Sequence, residues 1–198
     1  MSTIDQVTIT EFQFEVTNIG LEQAAAGVGN MAYVKGNTFP AKRFAVQIHT
    51  DDGLTGEYVT HWVGTPASFA QATMLAPVLI GRNPDHREQI YDDLKRELRA
   101  YDHMGHGPLD NALWDLIGKK YNASVSTLLG GFRTHLPTYA STYHGQETAG
   151  GLCSPEAFAD FAIACRDQGF AGFKIHGWNN GDITREVQNV LGVQIGRA

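Results

Sequence analysis

The chain has 198 residues, 42% hydrophobic, 10% aromatic and 18% charged, and its 15 Lys and Arg against 21 Asp and Glu leave a formal charge of −6. That balance excludes a disordered chain, and 22 glycines without a strict period exclude a collagen. With no basic run and no apolar run of about 18 residues, the chain is expected to bind neither nucleic acid nor a membrane.

The first 20 residues hold no Lys or Arg and no continuous apolar core, so no secretory signal is expected. Two cysteines, Cys153 and Cys165, make neither a disulfide framework nor a zinc site, and the chain reads as cytoplasmic. Val7 and Ile9 alternate with polar residues, then Phe12, Phe14 and Val16 alternate in the opposite phase, which predicts a strand with a bulge or bend. Residues 18–40 carry Gly20, Gly27, Gly29, Gly36 and Pro40 and read as a long loop. Phe44, Val46 and Ile48, the Asp52-Gly53 pair, and Leu54, Tyr58, Thr60 and Trp62 predict a hairpin.

The hydrophobic period then changes from two to 3.6. Thr65-Pro66 reads as an N-cap followed by a first-turn proline, with Pro77 limiting or kinking that helix. Asn83-Pro84 opens a second helix with Ile90, Leu94 and Leu98 on one stripe. A third carries Leu109, Ala112, Leu113, Leu116 and Ile117 on one face, with Asn122 as its stop. A short turn with Val125, Leu128 and Leu129 ends at Gly130-Gly131. Around Pro137 the pattern changes again, and residues 136–142 read as a strand. A helix follows, capped by Ser154-Pro155, with Phe158, Phe161, Ala162 and Cys165 inward. A second strand covers 171–176, and a last helix opens at Asp182 with Val187, Val190, Leu191 and Gln194 in register. Strand, helix, strand, helix at this spacing predicts a parallel βαβα unit. The fold class expected is an α+β domain of about three antiparallel strands and helices over 1–131, then two βα units over 132–198.

Lys174 and His176, in Phe173-Lys174-Ile175-His176, share one face of a strand by alternation. A parallel strand covered on both faces is nearly all apolar, so two ionisable groups there mark either a site or a solvent-exposed strand end. Either group could abstract a proton. The preceding strand ends in Ser141-Thr142-Tyr143-His144-Gly145, whose Ser141, Tyr143 and His144 could contact a polar substrate, or simply form a polar loop. His103 and His106 lack a convergent third ligand, and a turn near a helix start accounts for them better than a metal site. Gly27-Val28-Gly29-Asn30-Met31-Ala32 matches a dinucleotide fingerprint, but no helix pattern follows it and it is set aside.

Four strings, taken in this order, resemble the mandelate racemase/muconate lactonizing branch of the enolase superfamily. They are Gly107-Pro108-Leu109-Asp110-Asn111-Ala112-Leu113-Trp114-Asp115-Leu116-Ile117-Gly118-Lys119-Lys120, then Leu128-Leu129-Gly130-Gly131, then the polar strand Thr138-Tyr139-Ala140-Ser141-Thr142, then Gly172-Phe173-Lys174-Ile175-His176. The resemblance implies a capping domain over 1–131, the first two units of a (β/α) barrel over 132–198, and a mobile capping loop over 18–40. It implies an acid-sugar dehydratase or racemase, in which a base removes the proton next to a carboxylate and Mg²⁺ supports the enolate. By that analogy Lys174 contacts the substrate carboxylate and His176 stands where the base stands, in place of the usual second lysine. Family members usually associate, so self-association is implied as well.

The family's metal carboxylates come from later barrel strands, so no metal ligand is assigned within this chain. A complete barrel takes roughly 250 residues, and the sequence reads as a truncated product, an incomplete gene model or one piece of a larger protein. On that expectation residues 132–198 are poorly held, and the chain alone is inactive. Two readings stay open: part of a Mg²⁺-dependent enzyme acting on a small carboxylate, or a non-catalytic fragment that only binds partner subunits.

Overall fold

The computed structural model describes residues 2–22, 30–61, 65–145, 150–178 and 183–195. The chain divides into two units, Met1–Phe14 with Ala41–Thr134, and Glu15–Pro40 with His135–Ala198. Strands β1 (Ile4–Glu22) and β2 (Asn30–Thr50) each contribute residues to both.

In the first unit β2 pairs antiparallel with β3 (Thr55–Val59), from Ala45 opposite Val59 to His49 opposite Thr55. The turn between them is the Asp52-Gly53 signal. Gly53 sits at φ 86°, its N–H donates to Thr50 O at 2.9 Å, and Thr50 Oγ1 donates to Asp52 Oδ1 at 2.6 Å. Phe44, Val46 and Ile48 alternate inward and are fully buried. Period-two patterning thus gives one apolar sheet face, and three helices supply the matching apolar stripes. These are α1 (Thr65–Leu79), α2 (Arg87–Glu97), entered through a 3-10 turn at Pro84–His86, and α3 (His106–Tyr121). Leu75 and Leu79, Ile90 and Leu94, and Leu109, Leu113 and Leu116 all reach zero exposure in one core with Ile4. Gly56 of β3 lies so close to α3 that an added Cβ would sit 2.2 Å from Ala112 O and 2.4 Å from Leu116 Cβ. Asn122 ends α3 in the left-handed region at φ 49°, its N–H returning to the last turn, and α4 (Val125–Leu128) follows under a Ser124 cap.

One cap differs from expectation. Thr65 is the first helical residue of α1, and its hydroxyl is shared between Lys42 O at 3.0 Å and His61 O at 3.2 Å. Through Lys42 O it ties the helix start to β2.

The second unit corrects the long loop read over 18–40. Residues 18–22 and 30–40 are strand, in β1 and β2. Of the residues that suggested a loop, Gly36 adopts a left-handed conformation within the strand, opposite Asn18. Asn18 at φ 59° faces Gly36 at φ 78°, with Gly36 N–H donating to Asn18 Oδ1 at 2.9 Å and Asn37 Nδ2 donating to Ile19 O at 2.6 Å. Gly27 and Gly29 lie outside the described residues. Strand β1 is continuous through the Ile9–Phe12 phase switch, and its left-handed residue is Asn18.

Strands β4 (Tyr139–Gly145) and β5 (Gly172–Trp178) are parallel neighbours, and Ala32 of β2 pairs with His144 of β4. Between β4 and β5 runs α5 (Pro155–Asp167), whose Ser154 Oγ accepts from Ala157 N–H at 3.2 Å; α6 (Ile183–Ile195) follows β5. Leu152, Phe158 and Val193 form a small core against Phe173 and Ile175. The stripe read on the last helix does not face that core. Val187, Val190 and Leu191 are exposed, while Asn189 and Val193 are buried. The reason is the Gly192 contact, where an added Cβ would lie 2.7 Å from Pro155 O, so α6 meets α5 through the Asn189–Gly192–Val193 side. The proposed cap Asp182 lies outside the described residues, as does the side chain of Gln194. No helix among the described residues is long and apolar enough to cross a membrane.

Candidate active site

Phe173 and Ile175 of β5 point to α5 and α6, so by alternation Lys174 and His176 occupy the opposite face. Lys174 is exposed and His176 half-buried. Two parallel strands in simple register would bring Ser141 and Tyr143 of β4 beside Lys174 and His176. The register shifts instead: Ser141 pairs with Lys174, but His144 pairs with His176. Three residues of β4 are thus spanned where β5 spans two, a local β-bulge at Thr142-Tyr143 that the next pair, Gly145 with Trp178, cancels.

The bulge sorts the predicted residues. Ser141 and His144 align with Lys174 and His176, and the imidazole rings of His144 and His176 stack at 5.0 Å and 17°. Tyr143 goes to the other side. Its ring meets Tyr33 edge-on at 5.9 Å, in a chain of aromatics that continues through Phe161 to Phe173. Burial pushes the Tyr33 hydroxyl above its ordinary pKa. That side also holds a cavity of about 550 Å³ lined by Tyr33, Lys35, Asp160 and Phe161 and by none of the five predicted site residues. The predicted residues other than Tyr143 lie instead on the Lys174–His176 side.

Thr142 is the residue that strand alternation missed. It is buried, its Oγ1 accepts the His176 N–H at 2.8 Å and lies 3.4 Å from Lys174 O, and its carbonyl oxygen is 2.6 Å from His176 Nδ1. No signal within one strand reveals this, because it arises from how two strands pair. The face offers one ammonium, two imidazoles and a hydroxyl, which suits binding an anionic substrate and moving a proton.

Mg²⁺ prefers carboxylate and carbonyl oxygens in octahedral array. Among the described residues no three His, Cys, Asp or Glu converge to hold a metal ion, so the described residues do not fit it. His103 is exposed. His106, the first residue of α3, is buried against the Tyr91 ring at 4.4 Å.

The sequence pattern of the mandelate racemase/muconate lactonizing enzyme N-terminal domain matches residues 30–130. The N-succinyl-L-Arg/Lys racemase of Bacillus cereus is 28% identical over 142 residues, 66% of this chain and 35% of that protein. The D-galactarolactone cycloisomerase of Agrobacterium fabrum is 37% identical over 103 residues, 48% of this chain and 27% of that protein. The crystal structure of D-glucarate dehydratase from Agrobacterium tumefaciens, complexed with magnesium, superposes with a TM-score of 0.82 at 25% identity, covering 99% of this chain and 51% of that one. The chain thus spans about half the length of that solved relative, and its matches cover about a third or less of the curated ones. Its architecture is that of an N-terminal capping domain joined to the start of a barrel.

Proposed function

The chain belongs to the mandelate racemase/muconate lactonizing enzyme family of the enolase superfamily, and on that premise we propose that its Lys174–His176 face abstracts the proton next to a carboxylate in an acid-sugar dehydratase or racemase. In this reading 1–131 is the capping domain and 132–198 begins the barrel. The observation that carries it is the alignment of Lys174, His176, Ser141 and His144 on one face of a parallel strand pair.

The Lys174 ammonium attracts the substrate carboxylate, which orients the α-carbon over β5. A neutral His176 imidazole takes the α-proton on its ring nitrogen, and electron density moves from the breaking C–H bond toward the carboxylate that Lys174 faces. Ser141 and His144 contact the hydroxyls of the acid sugar. The exposed position of Lys174 suits a substrate that enters from solvent.

The test is turnover by the protein from its native source against aldonic and aldaric acids, with Mg²⁺ present. Dehydration reads as a 2-keto-3-deoxy acid, and racemisation as solvent deuterium at the α-carbon. His176→Asn is expected to lower kcat about 10²–10⁴-fold, and Lys174→Met to raise KM as well. A native protein that turns over no acid sugar, or a His176→Asn variant with undiminished exchange, overturns the reading. A second reading, in which the chain only binds partner subunits, is favoured by the exposure of Phe132 (85%) and Leu136 (67%). Under it, both substitutions leave assembly unchanged and no turnover exists to lose.

A further inference from the structure

We propose that Thr142 is a positioning residue that holds His176 as the Nδ1–H tautomer and leaves Nε2 as the nitrogen that accepts a proton; this rests on the assignment of His176 as the base. A carbonyl oxygen only accepts, so the 2.6 Å contact between Thr142 O and His176 Nδ1 requires the hydrogen to sit on Nδ1. In a neutral imidazole the other nitrogen then carries the lone pair. The opposite tautomer would set the Nδ1 lone pair against the carbonyl lone pairs and forfeit that bond.

The Thr142 hydroxyl fixes the backbone from which the ring hangs. Its oxygen accepts the His176 N–H at 2.8 Å and its proton points to Lys174 O at 3.4 Å, so one hydroxyl grips β5 on both sides of Ile175. The bulge makes this geometry available. In an unbulged pair His144 would fall out of line with His176, whereas here its ring stacks at 5.0 Å and resists a half-turn that would carry Nδ1 off the carbonyl. Thr142 touches no reacting atom in this scheme. It acts through His176.

The tautomer is read by the side-chain ¹⁵N shifts of His176 in the full chain, above the pH at which imidazole protonates, with no substrate or metal needed. Wild type and Thr142→Ser are expected to show Nδ1–H. Thr142→Val keeps the carbonyl but loses the hydroxyl, so mixed tautomers and about tenfold faster exchange of the His176 amide are expected, the loss of one hydrogen bond. In the native protein the same substitution is expected to lower kcat about tenfold, with KM within about twofold and Thr142→Ser restoring the rate. An Nε2–H tautomer in wild type overturns the proposal without any variant. So does a Thr142→Val protein with unchanged tautomer and kcat. If the Nδ1–H tautomer is present and no form turns over an acid sugar, the tautomer lock is supported and the assignment of His176 as base falls.

Discussion

His106 illustrates how one buried group ties stability to pH. Its side chain is buried at the start of α3, beside Tyr91, and its Nε2 has no hydrogen-bond partner among the described residues. Burial, the largest effect, lowers its pKa from 6.5, and the nearby Asp110 carboxylate only partly opposes that. His61 shifts the same way, through burial and then Arg43. As pH falls through 6.5 the unfolded chain takes up a proton that the folded chain still refuses. Within that window the unfolded state binds more protons, so stability rises with pH and is lost on acidification. The carboxylates held below their ordinary range act in a separate, more acidic window: Glu57 by its bonds to Gln47 and Lys119, and Asp85 by its bond to Lys120. Urea midpoints measured between about pH 7.5 and pH 5, spanning the ordinary histidine range, are therefore expected to fall on acidification. His106→Gln is expected to flatten the slope without abolishing it, because His61 remains. A slope unchanged by His106→Gln would show that His106 protonates alike in both states.

At the level of elements, close approach of β3 and α3 leaves Gly56 no room for a side chain. The atoms an added Cβ would meet include the backbone oxygen of Ala112, which cannot swing aside as a long side chain does. Gly56→Ala must push α3 outward or buckle β3, and a loss of about 1–3 kcal/mol is expected, the usual cost of overpacking. Equilibrium denaturation checks it, and an unchanged midpoint would mean that the helix moves freely over the strand. This contact is invisible in sequence, where Thr55-Gly56-Glu57 reads only as a strand interrupted by a small residue. The elements themselves were legible where one periodicity runs unbroken, as in Phe44-Val46-Ile48 or Leu109-Leu113-Leu116. They were not legible in the arm, where Asn18, Gly20 and Gly36 carry loop chemistry but serve strand pairing. The same limit divides the site. Lys174 and His176 share a face because strands alternate, a property of one segment. His144 joins them, and Tyr143 leaves, because a bulge arises between two segments.

Across the whole molecule the two units differ in how much apolar surface they bury. Among the described residues the cluster in the first holds fifteen buried residues, from Ile4 to Ile117, and twelve of them are Leu, Ile, Val or Phe at zero exposure. Among the described residues the cluster in the second holds three buried residues, Leu152, Phe158 and Val193. A fully buried side chain of this size is worth about 1.5–3 kcal/mol of transfer free energy, and the ordering of backbone opposes it in both units at about 1–2 kcal/mol per residue. The second unit therefore has far less to set against that cost, and Asn189, buried with an unpartnered Nδ2 among the described residues, subtracts further. The exposed Val187, Val190 and Leu191 on α6 contribute little to either side. Native-state hydrogen exchange is expected to separate the two: amides of β3, α3 and the Ala45–His49 stretch of β2 exchange only through global unfolding, while those of β4, β5, α5 and α6 open at lower free energy. A ligand that engages Lys174 and His176 would raise protection in the second group selectively, since binding stabilises the folded state it recognises. Equal protection in both groups would show that they unfold as one cooperative body, and the Lys174–His176 face would then inherit its rigidity from the larger core rather than from what it binds.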